Sequence, residues 1–344
     1  MLLPRTYRVG LLGFGNVMQI FLKHYFSVQE TVLKQYGFSL EFVAICDSKS
    51  IISNKKLDVA ELIRRKEKGM PLGREKRQPL KEFVRTLKDS GIKILVDGLP
   101  SSKIDEGPSF PVLAASIKRG VTVICVNKSP LVFKGEKLYD LAKKYRTRIS
   151  TSATTAGALP SSGIIMNELA GAEISSIRGV LNGTSNYILE RMMYDGYTLN
   201  AAVNKAKEMG IAEPDYRFDL EGTDTCFKMI ILALLLTGKQ VPLKKIPCTG
   251  ILNLKLDDIR WLAKQGKAIR LIGNLAIRDK TPFISVAPEV LDCVHPLFNV
   301  HDTQKGVMIE TKYMGNLTII GGASGRIPIA ATILKDIINI CKQI

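Results

Sequence analysis

The sequence predicts an α/β fold: a Rossmann-type parallel-sheet nucleotide-binding domain joined to an α+β domain. Three observations predict it. Short apolar runs alternate with helical segments through residues 1–155, a pattern that requires right-handed βαβ crossovers and a parallel sheet. A glycine loop, "GLLGFGNVM" (Gly10–Met18), falls between the first run and the first helical segment. Beyond residue 155 the alternation stops, and longer runs follow that suit antiparallel strands.

Tyr7–Leu12 reads as the first strand, Asn16–Gly37 as its helix, and "LEFVAICD" from Leu40 as the second strand, ending on Asp47. A polar, lysine-rich passage leads to a strand in Ile92–Pro100, a helix over Pro111–Arg119 and a strand over "VTVICVNKSPL" (Val121–Leu131). A helix over Gly135–Tyr145 and a strand near "RISTSAT" complete the first domain. In residues 156–321, a helix (Pro160–Ala170) precedes the strand–turn–helix of "EISSIRGVLNGTSNYILERMMYDG" and the helix of "TLNAAVNKAKEMG". An acidic stretch and an apolar helix follow, and then "KQGKAIRLIGNLAIRD", "FISVAPEVL" and "VMIETKYMGNLTIIGG" supply antiparallel strands. The last helix, within about 322–344, is expected to pack back on the first domain.

The chain has 344 residues, 46% hydrophobic and 24% charged, the balance of an ordinary globular protein. Its longest apolar run, Met229–Leu236, falls well short of the roughly 20 residues of a membrane-spanning helix. The N-terminus turns at once into a strand and a glycine loop, unlike a signal peptide. A cytoplasmic protein without membrane contact is expected. The six cysteines form no C-x-x-C pair, and the three histidines have no metal-ligand spacing. The net charge of +17 invites nucleic acid as a partner. However, the densest basic tracts, "RRKEKG" from Arg64 and "REKRQPLK" from Arg74, interleave glutamate and lack aromatics for base stacking. They read as a solvated helix and loop, and no nucleic-acid partner is expected.

In the glycine loop, Gly13 permits the tight turn, and Gly15 lets the backbone of Asn16 and Val17 approach a pyrophosphate at the helix N-terminus. Met18 stands where the fingerprint has a third glycine or alanine. Asp47, with Ser48, suits the ribose hydroxyls of NAD, whereas Lys49, Lys55 and Lys56 suit the 2′-phosphate of NADP, so both cofactors stay open.

The acidic stretch "GIAEPDYRFDLEGTDTCFK" (Gly210–Lys228) gathers Glu213, Asp215, Asp219, Glu221 and Asp224 ahead of the apolar helix. Asp224 and Lys228 are spaced i, i+4, so they share one helix face and are the only charges from Thr223 to Thr237. A buried lysine held by an aspartate is what carbonyl reduction needs as general acid, or alcohol oxidation as base. A structural ion pair gives the same spacing. The neighbouring carboxylates favour chemistry, because Glu213 and Asp219 suit a substrate ammonium or hydroxyl, while Glu221 and Arg217 suit the surface.

The ordered segments "GFGNVM", "VNKSPL", "VLNGTSNYIL", "EPDYRFDLEGTDTCFK" and "GGASGRIPIAATILKDI" resemble the homoserine dehydrogenases along nearly the whole chain. The resemblance implies an NAD(P)-dependent interconversion of L-homoserine and L-aspartate 4-semialdehyde. It implies Lys228 and Asp224 at the reacting centre, and Lys128 as a second lysine near substrate and nicotinamide. Glu213 and Asp219 then bind substrate with the Asn182–Gly183–Thr184 loop, and Asn127 and Gly322 join the cofactor residues. It implies a homodimer formed through the second domain, and a short form without a C-terminal regulatory domain or threonine feedback. Many members carry a monovalent-cation loop that opens with glutamate. Here Ser152 takes that place, leaving backbone carbonyls at Thr155, Gly157 and Leu159 to hold a sodium ion. Ile211 replaces a frequent aromatic residue.

Two other readings fit the same sequence. Another two-domain oxidoreductase, such as an aldehyde dehydrogenase, would need Cys125 or Cys226 as an activated nucleophile. A cofactor-binding protein with decayed catalysis is the other.

Overall fold

The computed structural model describes residues 5–342 apart from Pro214. The chain divides into two compact units. One runs to Thr154 and resumes at Arg326, and the other is Thr155–Gly325.

The first unit contains, in chain order, β1 (Arg5–Leu12), α1 (Asn16–Tyr36), β2 (Phe38–Cys46), β3 (Ile51–Ser53), α2 (Val59–Glu67) and α3 (Pro79–Thr86). It continues with β4 (Ile94–Asp97), α4 (Phe110–Ile117), β5 (Thr122–Cys125), α5 (Ser129–Lys144) and β6 (Ile149–Ser150). The sheet order is β3-β2-β1-β4-β5-β6, parallel except for β3, which turns back antiparallel on β2. Val9, Leu11 and Leu12 of the central strand are wholly buried, as expected of a strand covered on both faces. α1 buries Met18, Phe21, Leu22 and Tyr25, and Tyr25 Oη accepts a 2.7 Å hydrogen bond from the Leu40 backbone N–H.

One sequence expectation needs correction here. The polar, lysine-rich passage forms β3, α2 and α3. α2 escaped the periodicity because it buries only Val59, Leu62 and Ile63, and is held by a cap from Asp58 to the Glu61 N–H (3.0 Å). Its last-turn residues Arg64, Arg65 and Lys66 complement the helix dipole, and Lys23 pairs with Glu67. The strand predicted over Val121–Leu131 stops at Cys125, and helix α5 begins at Ser129 rather than Gly135. Pro130 sits in the first turn, where its missing N–H costs nothing, and a non-helical Lys134 kinks α5 between its two halves.

The second unit opens with α6 (Ser161–Gly163), which runs into a π-helical turn (Ile164–Glu168). β7 (Ile174–Val180), α7 (Gly183–Tyr194), α8 (Leu199–Glu208), α9 (Arg217–Leu220), α10 (Thr223–Thr237) and α11 (Leu256–Lys264) follow. Four strands complete the unit: β8 (Ala268–Arg278), β9 (Thr281–Leu291), β10 (Lys305–Thr311) and β11 (Asn316–Gly321). The sheet order is β11-β10-β7-β8-β9, antiparallel throughout. Pro288 is tolerated because β9 is an edge strand. α10 lies close on this sheet: a Cβ on Gly273 would fall 2.7 Å from Met229 Cε and 2.8 Å from Thr225 Cγ2.

α12 (Arg326–Cys341) belongs to the first unit and shares its core with α1, through Ala330, Ile333, Leu334 and Ile337. Ser150 Oγ donates to Asp336 at 2.6 Å, tying α12 to β6.

Candidate active site

The apolar helix α10 starts at Gly222, whose φ of +86° suits glycine, and a Cβ there would meet Cys248 Sγ at 3.0 Å. Asp224 lies in its first turn, where the helix dipole favours a carboxylate. Asp224 is 4% and Lys228 8% exposed, and they form an ion pair across one turn. Lys228 Nζ also donates to the Leu181 carbonyl at 2.7 Å. Of the three N–H bonds of this ammonium, two are thus directed to Leu181 and Asp224.

Asn182, between β7 and α7, joins the acids into one group. Its Oδ1 accepts from Ser185 N–H at 2.8 Å, which caps α7. Its Nδ2 donates to Asp219 Oδ1 at 2.7 Å and to Asp224 Oδ2 at 2.8 Å. Asp219 reaches it from the one-turn helix α9, which is fastened to α10 by edge-to-face contact of Phe218 and Phe227, centroids 5.2 Å apart. Asn182, Asp219, Asp224 and Lys228 therefore form a single hydrogen-bonded cluster. Thr184 Oγ1 donates to the Ile211 carbonyl at 3.3 Å, anchoring the loop that carries Glu213. Glu213 itself is exposed, as are Arg217 and Glu221. Gly183 is needed for packing, because a Cβ there would lie 2.6 Å from Ser324 Oγ and 2.7 Å from the Thr303 carbonyl.

Sequence reasoning missed Lys305. It is buried at the start of β10, and burial, with the Lys228 charge behind it, pulls its ammonium down to about 8 against the opposing pull of Asp224. No motif marks this residue; only strand pairing brings it to the cluster.

In the first unit, Gly13 (φ +86°) donates its N–H to the Cys46 carbonyl at 2.7 Å, and a Cβ there would fall 2.6 Å from Gly98 O. Gly15 caps α1, is exposed, and has nothing within 4 Å of where a Cβ would be. The positive N-terminal end of α1, at Asn16 and Val17, is of the kind that suits a phosphate anion. Met18 departs from the glycine fingerprint because the close approach is made from the other side: its side chain lies over Gly98, within 2.7 Å of a Cβ position there.

Asp47 is buried and engaged. Its Oδ1 accepts from Lys49 N–H, Ser50 N–H and Ser50 Oγ, and Oδ2 pairs with Lys66 at 2.9 Å. Burial pushes this carboxyl up, but the Lys66 hydrogen bond, the two backbone N–H groups and the Lys66 charge together hold it below the ordinary range. Ser48 and Lys49 are exposed beside it. Asn127 is a strut, with Oδ1 accepting from Ser129 N–H and Oγ and Nδ2 donating to Ser109. Lys128, half-buried, stands at the cap of α5, and its N–H donates to Ser101 Oγ at 2.9 Å. Gly322 lies in the second unit, just beyond β11. Its φ is +70°, and a Cβ there would fall 2.6 Å from Leu159 N. It backs the turn with Thr155, whose Oγ1 accepts from Ser161 Oγ at 3.1 Å, and Gly157, whose φ is +61°.

Asp97, at the C-terminal end of β4, also went unnoticed in the sequence. Burial raises its carboxyl to about 7, although Ser109, the Leu99 N–H and Asn127 oppose the shift. A carboxyl raised on folding stabilises fully below its unfolded value near pH 4, and that contribution is lost as pH climbs through 7, by up to roughly 4 kcal/mol. The Asp97→Asn variant should therefore gain thermal stability relative to wild type as pH goes from 5 to 8; a difference that does not change with pH counts against this.

Cys125 and Cys226 are wholly buried. Burial pushes the Cys125 thiol far up, and the neighbouring Cys248 thiol, followed by burial, does the same to Cys226. Neither meets the need of a thiol-based aldehyde dehydrogenase for a reactive thiolate. Among the described residues, no group of three His, Cys, Asp or Glu side chains suits a metal ion, and no helix is long and apolar enough to cross a membrane.

A doubly wound sheet with an open glycine loop, in one chain with an antiparallel unit bearing a buried lysine–carboxylate cluster, defines a nicotinamide-dependent dehydrogenase. Residues 160–338 match the family model described as homoserine dehydrogenase. The chain is 32% identical to the homoserine dehydrogenase of Methanocaldococcus jannaschii, over 96% of this chain and 97% of that one. It is 30% identical to the NAD(+)-dependent homoserine dehydrogenase of Pseudomonas canavaninivorans, over 97% and 96%. The crystal structure of a putative homoserine dehydrogenase from Archaeoglobus fulgidus superposes with a TM-score of 0.85 at 28% identity, covering 97% of this chain and 99% of that one. The chain belongs to the homoserine dehydrogenase family.

Proposed function

We propose that the protein interconverts L-homoserine and L-aspartate 4-semialdehyde, using NAD or NADP. The observation that carries this reading is the Asn182–Asp219–Asp224–Lys228 cluster within a member of this family. The bound nicotinamide supplies the hydride acceptor or donor. Lys228 exchanges the proton at the substrate's terminal oxygen, and the ion pair with Asp224 aims it. Glu213 and Asp219 hold the substrate ammonium, and the Asn182–Thr184 loop frames it.

The first unit is the cofactor unit in this reading, with Gly13, Gly15, Asn16, Val17, Ser48, Lys49 and Asn127 lining the dinucleotide site. Because Asp47 is already paired with Lys66 beside the exposed Lys49, the corner is not built to exclude a 2′-phosphate, which supports use of either cofactor. Carbonyls of Thr155 and Gly157 are the proposed sodium ligands; a rate unchanged when choline replaces sodium removes the ion from this reading. The second unit is also the dimerisation unit. Its sheet bears half-buried Arg178 and Glu289 in an ion pair and an exposed Phe283. A scattering mass of twice 38.0 kDa is expected, and a monomer mass contradicts it.

The deciding assay is homoserine-dependent reduction of NAD and of NADP, side by side. Reduction of at least one is expected; a folded protein that reduces neither overturns the reading.

A further inference from the structure

Among the described residues, Lys305 is the buried cation beside the reacting cluster to which the proposed chemistry gives no task. It opens β10, with its backbone in register with Gly321 of β11, and it is only 7% exposed. Among the described residues its ammonium has no hydrogen-bonding or ion-pair partner; the charges that act on it are Lys228 and Asp224, which are committed to each other. A buried, unpartnered cation next to a like charge lowers stability, and such groups are retained where a ligand completes them. The start of β10 also approaches the N-terminus of α7. The Thr303 carbonyl, two residues before Lys305, accepts from Ser324 Oγ at 2.7 Å and lies 2.7 Å from where a Cβ on Gly183 would sit. The positive end of that helix adds to the field of the lysine.

The cluster as described provides acids for a substrate ammonium and Lys228 for the terminal oxygen. An α-amino acid brings one further group, its α-carboxylate, and the acids repel it. We propose that Lys305 binds the substrate α-carboxylate and thereby makes the enzyme select an amino acid over an amino alcohol or amide. This rests on the homoserine reading above. The bound carboxylate supplies the partner that the ammonium lacks, and a lysine poised to lose its proton without substrate regains it in the complex.

The test compares wild type with Lys305→Met and Lys305→Arg on L-homoserine and on L-homoserine amide, at saturating cofactor. In Lys305→Met the ratio of kcat/KM for acid over amide should fall about 10- to 100-fold, with the loss carried by KM, and Lys305→Arg should recover part of it. The thermal midpoint of substrate-free Lys305→Met should be no lower than that of wild type, whereas a structural lysine would lower it. Lys305→Gln carries the same comparison if the methionine variant does not fold. An unchanged acid-to-amide ratio, or a loss confined to kcat, overturns the assignment and leaves the homoserine reading standing. A wild-type protein that does not oxidise homoserine takes down both.

Discussion

Replacing Lys228 by methionine is expected to lower kcat for homoserine oxidation by about 10²- to 10⁴-fold, the usual contribution of a positioned general acid–base group. The same change should cost stability. Asp224 is 4% exposed, and losing the ammonium leaves its carboxylate buried without the charge that Lys228 sets against it. Breaking one side of a buried ion pair costs roughly 3–5 kcal/mol. Activity and folding therefore fall together in the single variant, and the pair's two possible roles have to be separated. The double variant Asp224→Asn/Lys228→Met separates them, because it removes both charges and keeps an amide in the place of the carboxylate. Its thermal midpoint should return most of the way to that of wild type, while turnover stays at the level of Lys228→Met. Recovery of turnover with stability would show that the pair only ties elements together, and unimpaired turnover in both Lys228→Ala and Asp224→Ala would dispose of the mechanism.

The sequence shows this pair because both members sit on one helix, and the i, i+4 rule needs no knowledge of the fold. Gly13 and Gly15 are legible for the same reason: backbone conformation at a strand-to-helix turn restricts residue type locally. What the sequence hides is whatever strand pairing brings together. Lys305 is an ordinary lysine in "QKGVMIE" until β10 is laid between β7 and β11. Met18 looks like a defect in the fingerprint until the pairing of β1 with β4 puts Gly98 beneath it and moves the small residue from the helix to the turn just after β4. Asp47 ends the second strand as expected, but its partner Lys66 comes from a helix with only three buried residues, too few to show a period. α2 is held by a cap and ion pairs rather than by a wide apolar face, and α3 buries only Phe83, so hydrophobic patterning alone passes over them.

Asn182 is the residue whose role changes most, and Asn182→Asp is the substitution that reads it. The new side chain keeps an oxygen for Ser185 N–H, so the cap on α7 survives. It replaces the donating Nδ2 by an acceptor facing Asp219 Oδ1 and Asp224 Oδ2, which now lie 2.7 and 2.8 Å away. Two hydrogen bonds to carboxylates, each worth roughly 1.5–3 kcal/mol, are lost. Three carboxylates then share one buried point, and they cannot all ionise near neutral pH. One keeps a proton, and the ion pair of Asp224 with Lys228 is disturbed. We expect kcat/KM at pH 7 to fall by about 100-fold or more, with the acid limb of the pH–rate profile moved to higher pH. Stability should show the matching sign. Carboxyls raised on folding stabilise below their unfolded values and lose that contribution as pH rises, so the deficit against wild type should be largest at pH 8 and narrow toward pH 5. Asn182→Ala is the control. It removes the bridge and the cap, costing about 1 kcal/mol for the cap, but adds no charge, so its deficit should vary less with pH. An Asn182→Asp enzyme with the wild-type rate and pH profile would mean that the amide bridges the acids without governing them, and that Lys228 is held by Asp224 alone.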